Sequence, residues 1–515
     1  MKTENVKNLK NLILVILLVV FLVMVTGLTA GCDNNSNNSD GKNAEETNPS
    51  ATGPAADAGT ESAAAAKPSH YEADYLPDKK YGGYEFRIMT PPNGFYDNII
   101  TLEADVEEET GDILYDAVYK RNRIIEKQYD IIFKGIVVDN YDACLERFKK
   151  SVMAGADDFD LCMLLPRYAW SQALEGAVVP VNQLPYLDIS QPWYVHGVNA
   201  EMSIGGKLFF AYSDECLNLL ENTSCVLFNK KLVADLGLDN MYGLVRDGTW
   251  TLDKFFSLAR KATADLDGDG KITDADRFGI VSSASEFLPA FWSSCGVRTV
   301  TKNEDDFHVF TEQPEKFYNI LDKVCDNLYS GEKIYFDGVW DKPNSFSSSA
   351  IQFAGDFGLF FSNCLRAVPG LRAMETDFGI IPFPKYDEAQ EIYYSRAGRG
   401  WINCAPNGAP DLERTSVIME ALAVESKNYT VPAYHEIALR TKFLRDDESE
   451  EMLDIIEKNR FVDLGDTIYA LLIADMLSET IILNKNTDFV SALEKNMGKI
   501  NEALQKSNEM ALALD

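Results

Sequence analysis

Every residue from Leu12 to Val25 is apolar, and the stretch before this run carries Lys2, Lys7 and Lys10. A run of about 14 residues falls short of the ~20 that span a bilayer as a helix. The positive start, the apolar run and the small residues after it therefore predict a secretory signal. From Asp33 to about Lys80 apolar periodicity vanishes, and Asn, Ser, Ala, Gly and acids dominate. Such a segment buries too little surface to offset chain entropy, which predicts a disordered tether that gives the rest of the chain reach.

Periodicity returns at Tyr84, where Tyr84, Phe86 and Ile88 alternate with Glu85 and Arg87 as in a strand. Gly111-Asp112 opens a predicted helix with the apolar pairs Ile113/Leu114, Ala117/Val118 and Ile124/Ile125. Ile131–Phe133 with Ile136–Val138 reads as a strongly buried strand. A helix carrying Leu145, Phe148 and Val152 ends near Gly155, and Phe159–Leu165 is a further apolar strand. This β-α-β-α-β order with apolar strands predicts a parallel sheet covered on both faces. Further strands are predicted at Lys207–Tyr212, Ser224–Phe228, Gly358–Phe361 and Phe378–Ile381. Thr251 caps a helix with Leu252, Phe255, Phe256 and Ala259 on its buried stripe. From Glu413 the pattern is mostly helical, with stripes at Ile418–Val424, Met452–Ile456, Ile468–Met476 and Phe489–Leu504. The expected architecture is two α/β lobes with a helix-rich end.

Charge narrows the function. The 515 residues carry 80 acids against 48 bases, a net charge of -32. Phosphate backbones would be repelled, so nucleic acid is excluded as a partner. Among nine cysteines, Cys32 ends Thr29-Ala30-Gly31-Cys32, which resembles a bacterial lipobox whose cysteine is diacylated. Thr29 stands where an aliphatic residue is usual, with Leu28 one position earlier. An uncleaved N-terminal anchor is the alternative, and either way the body faces outward. The other eight cysteines form no Cys-x-x-Cys and sit in apolar surroundings, which reads as buried free thiols.

One motif carries specific chemistry. Asp265, Asp267, Asp269, Gly270, Lys271, Thr273 and Asp276 match positions 1, 3, 5, 6, 7, 9 and 12 of an EF-hand calcium loop. Carboxylates on alternate residues converge because Gly270 permits the turn, Lys271 offers its carbonyl and Thr273 a hydroxyl or water. Asp276 is shorter than the usual closing Glu. The expected cofactor is one structural calcium ion, with a metal-free Asp/Gly turn as the alternative. Catalytic signatures are missing: the four histidines are scattered, and no zinc, nucleophile-elbow, phosphate-loop or dinucleotide motif occurs. Two-carboxylate glycosidase chemistry stays open because acids are abundant. Trp170, Trp193/Tyr194, Phe291/Trp292, Trp340 and Trp401 recur near strand-to-loop transitions, where aromatic faces can stack on sugar rings or simply fill the core.

Several stretches together resemble extracellular solute-binding proteins of family 1, the sugar-type lipid-anchored receptors of ABC importers. They include Tyr81-Gly-Gly-Tyr-Glu-Phe-Arg, Gly111-Asp-Ile-Leu-Tyr-Asp-Ala-Val-Tyr, Phe228-Asn-Lys-Lys-Leu, Thr249-Trp-Thr-Leu-Asp and Asp377-Phe-Gly-Ile-Ile-Pro-Phe-Pro. The resemblance implies a two-lobed, type II periplasmic-binding-protein-like fold with ligand in the cleft between lobes. On this chain residues 1–31 are the signal and 32–80 the anchored tether. Residues 81–213 with 361–410 form one lobe, and 214–360 with 411–515 the other. Crossings are expected near Ala211–Glu215, Phe361–Asn363 and Asn407–Pro410. Arg167, Tyr168, Asp214, Phe291, Trp292, Asn363, Arg366, Arg399 and Trp401 are then the expected cleft residues. The expected function is capture of a small saccharide by a monomeric, non-enzymatic receptor outside the cell membrane, for delivery to an ABC permease. A surface carbohydrate-active enzyme and a ligand-sensing lipoprotein are the competing readings.

Overall fold

Tyr84–Thr90 (β1) is the strand on which the first sheet is assembled. Asp112 accepts N–H bonds from Leu114 and Tyr115 and so starts Ile113–Tyr129 (α1), which ends at Asp130 in the left-handed region. Ile131–Val137 (β2) then pairs parallel with β1, Tyr84 opposite Ile131. Tyr141–Ala154 (α2), capped by Asn140 and closed by Gly155, returns the chain to Leu161–Leu164 (β3), parallel to β1 on its other side. Pro166–Leu174 (α3) follows directly, with Pro166 in the first turn where no N–H is needed. A later strand, Ile402–Cys404, closes the far edge antiparallel to β3. This computed structural model describes residues 70–91, 106, 108–311, 315–329, 334–337, 348–371, 373–440 and 447–514. The signal run, Cys32, most of the tether and Trp340 lie outside them.

The second sheet has Ser224–Asn229 (β4), Phe278–Ser283 (β5), Tyr335–Asp337 (β6), Gly358–Cys364 (β7) and Phe378–Ile381 (β8), in the order β8-β4-β7-β5-β6. β5, β6 and β7 are parallel, whereas β4 runs antiparallel to both its neighbours. Between β4 and β5, Leu252–Ala262 is capped by Thr251, whose hydroxyl accepts Lys254 N–H. Phe255 packs tilted against Phe291 and Phe360, and Phe256 stacks on Phe291, at ring separations of 5.0 to 5.8 Å. Phe489–Leu512, the last helix, buries Leu493, Ile500 and Leu504 in the main core.

Four expectations need correcting. The segment from His70 to Lys80 packs on the body and is not tether: Tyr71 N–H donates to Asn428 Oδ1 at 2.8 Å, the Tyr75 hydroxyl to Glu420, and Lys79 pairs with Glu413. β2 is an edge strand, so Ile132 is 51% and Val137 64% exposed rather than strongly buried. Lys207–Tyr212 is buried but enters neither sheet. Its apolar run fills the core, while the Asn199 side chain bonds both the N–H and the carbonyl of Tyr212.

The fourth concerns the crossings. Phe361–Asn363 lies inside β7, a central strand of the second sheet, so 361–381 cannot belong to the first lobe. The chain returns only between Ile381 and Ile402, where Ser395–Arg396 pairs with Arg460–Phe461 in a two-stranded ribbon. Asn407–Pro410 is a turn within the first lobe, Asn407 N–H donating to the Ala177 carbonyl at 2.8 Å. Leu412–Glu425 packs Val417, Ile418, Ala421 and Leu422 against Phe86 and Ile125 of the same lobe. Asp447–Lys458 packs on the second lobe, its Ser449 hydroxyl meeting the Tyr242 hydroxyl at 2.9 Å. All eight cysteines of the body are buried free thiols, as their surroundings suggest.

Candidate functional site

The parallel strands of both sheets point their carboxyl ends at one cleft. Leu165, Pro166 and Arg167 follow β3. Trp401 immediately precedes the strand antiparallel to β3 and so arrives at the same end. From the second sheet, Ser285 and Glu286 follow β5 and Arg366 follows β7. Asn222 precedes β4, whose Ser224 lies opposite Cys364 at the end of β7. Arg399 from the returning segment and Thr467 and Ala470 complete the lining of a cleft of about 680 Å³, counted to its open mouth. Ligand clefts in open α/β sheets form at this end of the strands.

Charge organises the floor. Glu286 binds the Arg366 guanidinium at 2.8 Å and also bonds Arg396; Asp466 holds Arg396 and binds Arg399 at 2.7 Å. Asp475 takes a second contact from Arg399 at 2.9 Å. Burial pushes the Glu286 carboxyl up, but the Arg396, Arg366 and Arg399 guanidiniums outweigh it and hold it well below the carboxylate range. Arg366 also donates to Asn222. Trp401 is a buried wall against Met163 and Leu165, its backbone N–H donating to Asn218 Oδ1.

Of the expected residues, the cleft brings together Arg167, Arg366, Arg399 and Trp401. Tyr168 lies beside it, its hydroxyl donating to Asp142 at 2.6 Å. Asp214 is elsewhere, half-buried and paired with Lys427 at 2.9 Å. Phe291 and Trp292 are fully buried in the second lobe, Trp292 Nε1 donating to Asp463 Oδ2 at 3.0 Å. Asn363 is buried within β7, its Oδ1 accepting the N–H of Cys364. Aromatic residues at a strand-to-loop transition serve a core as readily as a cleft, which is why Phe291 and Trp292 misled. Glu286, Asn222 and Thr467 were missed; a single acid opening the otherwise apolar helix Ala284–Ser294 was the available signal.

Away from the cleft, Asp265, Asp267 and Asp269 place carboxylate oxygens within 4.8 Å of one another. Gly270 has φ +79°, and Asp265 accepts the N–H groups of Gly268 and Gly270 at 2.7 Å, folding the loop around them. Asp276 differs. Its oxygens accept Leu266 and Thr273 N–H at 2.7 Å, bonds that hold its carboxyl below the usual range, and the Thr273 hydroxyl turns to it. The donor set fits a calcium ion at its first three positions and ties the loop shut at the last.

No family model and no curated protein matches the sequence. Solved structures match the fold. The sugar-binding protein MalE from Xanthomonas citri is 15% identical, with 82% of this chain and 98% of that one covered and a TM-score of 0.55. An ABC substrate-binding protein from Listeria monocytogenes, in complex with cycloalternan, is 13% identical with 82% and 99% covered and a TM-score of 0.53. UgpB from Mycobacterium tuberculosis, in complex with glycerophosphocholine, is 14% identical with 77% and 96% covered and a TM-score of 0.51. The shared property at these identities is the backbone plan: two α/β lobes with a cleft at the carboxyl ends of their parallel strands. This chain has the two-lobed fold of the ABC substrate-binding proteins.

Proposed function

We propose that this chain is the extracytoplasmic receptor of an ABC importer, tethered through a lipid on Cys32, that captures a saccharide between its lobes for a membrane permease. The observation that carries this reading is the cleft at the strand ends, walled by Trp401 and lined by guanidinium, amide and hydroxyl groups from both lobes. An aromatic wall with converging donors suits the apolar face and hydroxyl rim of a sugar ring. The solved proteins of this fold include one bound to cycloalternan, which supports a saccharide, and one bound to glycerophosphocholine, so the ligand class rests on the lining residues.

The glycosidase alternative needs a carboxyl kept protonated to act as general acid. Glu286 lines the cleft but is held ionised by its arginines, the opposite of that requirement. We infer binding without turnover. The Asp265–Asp276 loop is proposed to hold one calcium ion as a structural clip, remote from the ligand. Native mass spectrometry of the purified protein, followed by release and identification of the copurifying molecule, tests the main reading. An intact saccharide is expected. A non-saccharide solute overturns the ligand class, and hydrolysed sugar accumulating on incubation overturns the receptor reading.

A further inference from the structure

The guanidiniums at the cleft are not all paired. Arg366, Arg396 and Arg399 are each met by carboxylates from Glu286, Asp466 and Asp475. Arg167 lines the same cleft, yet among the described residues it forms no ion pair, and its Nε is buried without a hydrogen-bond partner. Its guanidinium carbon lies 4.8 Å from the centroid of the Tyr168 ring. Asp142, on the neighbouring α2, accepts the Tyr168 hydroxyl and forms no ion pair with Arg167. Among the described residues Arg167 is thus the cleft guanidinium with no carboxylate paired to it. A half-desolvated guanidinium with an unmet donor carries a cost that an anionic ligand group relieves.

Resting on the saccharide-receptor reading, we propose that the ligand is an acidic saccharide whose single carboxylate is bound by Arg167. The planar fork of a guanidinium matches a carboxylate with two parallel hydrogen bonds. On a saccharide, the group that presents such a carboxylate is a uronate. Arg366 and Arg399, already neutralised, keep remaining donors for hydroxyls, and Trp401 walls the ring.

The test is calorimetric titration of the full chain with aldobiouronic acids of the maltose, cellobiose and xylobiose series, each beside its neutral parent disaccharide. In at least one series the acid is expected to bind about ten- to a hundredfold tighter than its parent, the range for a hydrogen-bonded charge. Arg167→Gln is expected to bring acid and parent within roughly threefold of each other, with the melting temperature unchanged. Should Arg167→Gln fold poorly, Arg167→Lys, which keeps the charge but loses the fork, is expected to show an intermediate preference. Neutral parents binding as tightly as their acids, or a preference that survives Arg167→Gln, overturns the acidic-ligand inference and leaves the saccharide receptor standing. Binding by no member of any series, acidic or neutral, overturns both.

Discussion

Asp463 shows how a single buried acid can carry a lobe. Its Oδ2 accepts Trp292 Nε1 and the Thr299 hydroxyl at 3.0 and 2.8 Å, and its Oδ1 accepts Thr299 and Gly465 N–H groups at 3.0 and 3.1 Å. Burial outweighs these donors and, with Asp466 nearby, pushes the carboxyl up from 3.8 to about 6. The folded state therefore keeps a proton that the unfolded chain has lost, so this contribution to stability is fully present below 3.8 and is lost as pH rises through about 6. A shift of this size corresponds to roughly 3 kcal/mol at most. Urea midpoints measured between pH 4 and 7 should show that slope in the wild type, and Asp463→Asn should flatten it. The two tryptophans then separate by readout. Trp292→Ala should cost roughly 3–5 kcal/mol of stability, as for emptying a core site, and leave ligand affinity intact. Trp401→Ala should weaken ligand binding by about 1–3 kcal/mol, since it removes a cleft wall. Equal affinity losses at both positions would contradict this division.

At the level of elements, the ribbon Ser395–Arg396 with Arg460–Phe461 places Arg396 between Glu286 and Asp466. Arg396→Met leaves two buried carboxylates facing each other and should cost about 3–5 kcal/mol, read as a lowered urea midpoint. The acidic loop offers the opposite sign. Calcium at a hundredfold excess over its dissociation constant should stabilise the chelator-treated protein by about 2.7 kcal/mol, magnesium much less, with Asp267→Ala plus Asp269→Ala abolishing the response. A wild type whose melting temperature ignores calcium refutes the clip. Elements with punctuation at their ends were legible from sequence: Asp112 and Thr251 cap helices, and Gly155 closes one. The place of Lys207–Tyr212 and the continuation of β7 through Phe361–Asn363 were not. A buried apolar run looks the same whether it fills a core, crosses between lobes or occupies the middle of a sheet, because pairing partners far along the chain decide which. Arg167, Arg366, Arg399 and Trp401 could be placed because each flanks a strand end. Asn222 and Thr467 reach the cleft through long-range packing that leaves no local pattern.

The molecule as a whole has lobes joined by at least three passages of chain, and a ligand touching both favours whichever arrangement lets it do so. Saturating ligand should reduce the radius of gyration in small-angle scattering and quench tryptophan fluorescence along the same curve; a radius indifferent to ligand would argue for a rigid, preformed site. The first lobe also has a temporal consequence. The Tyr75 hydroxyl rests on Glu420, 345 residues away, and β3 gains its outer neighbour only at Ile402–Cys404. During synthesis the amino-terminal half therefore waits, with β3 open on one side, until the chain beyond about residue 425 has emerged. Such distant pairing makes folding slow, so the nascent chain spends its early life as a substrate for whatever binds unfolded polypeptide, and truncation before residue 402 should yield a protein that aggregates through that unsealed strand.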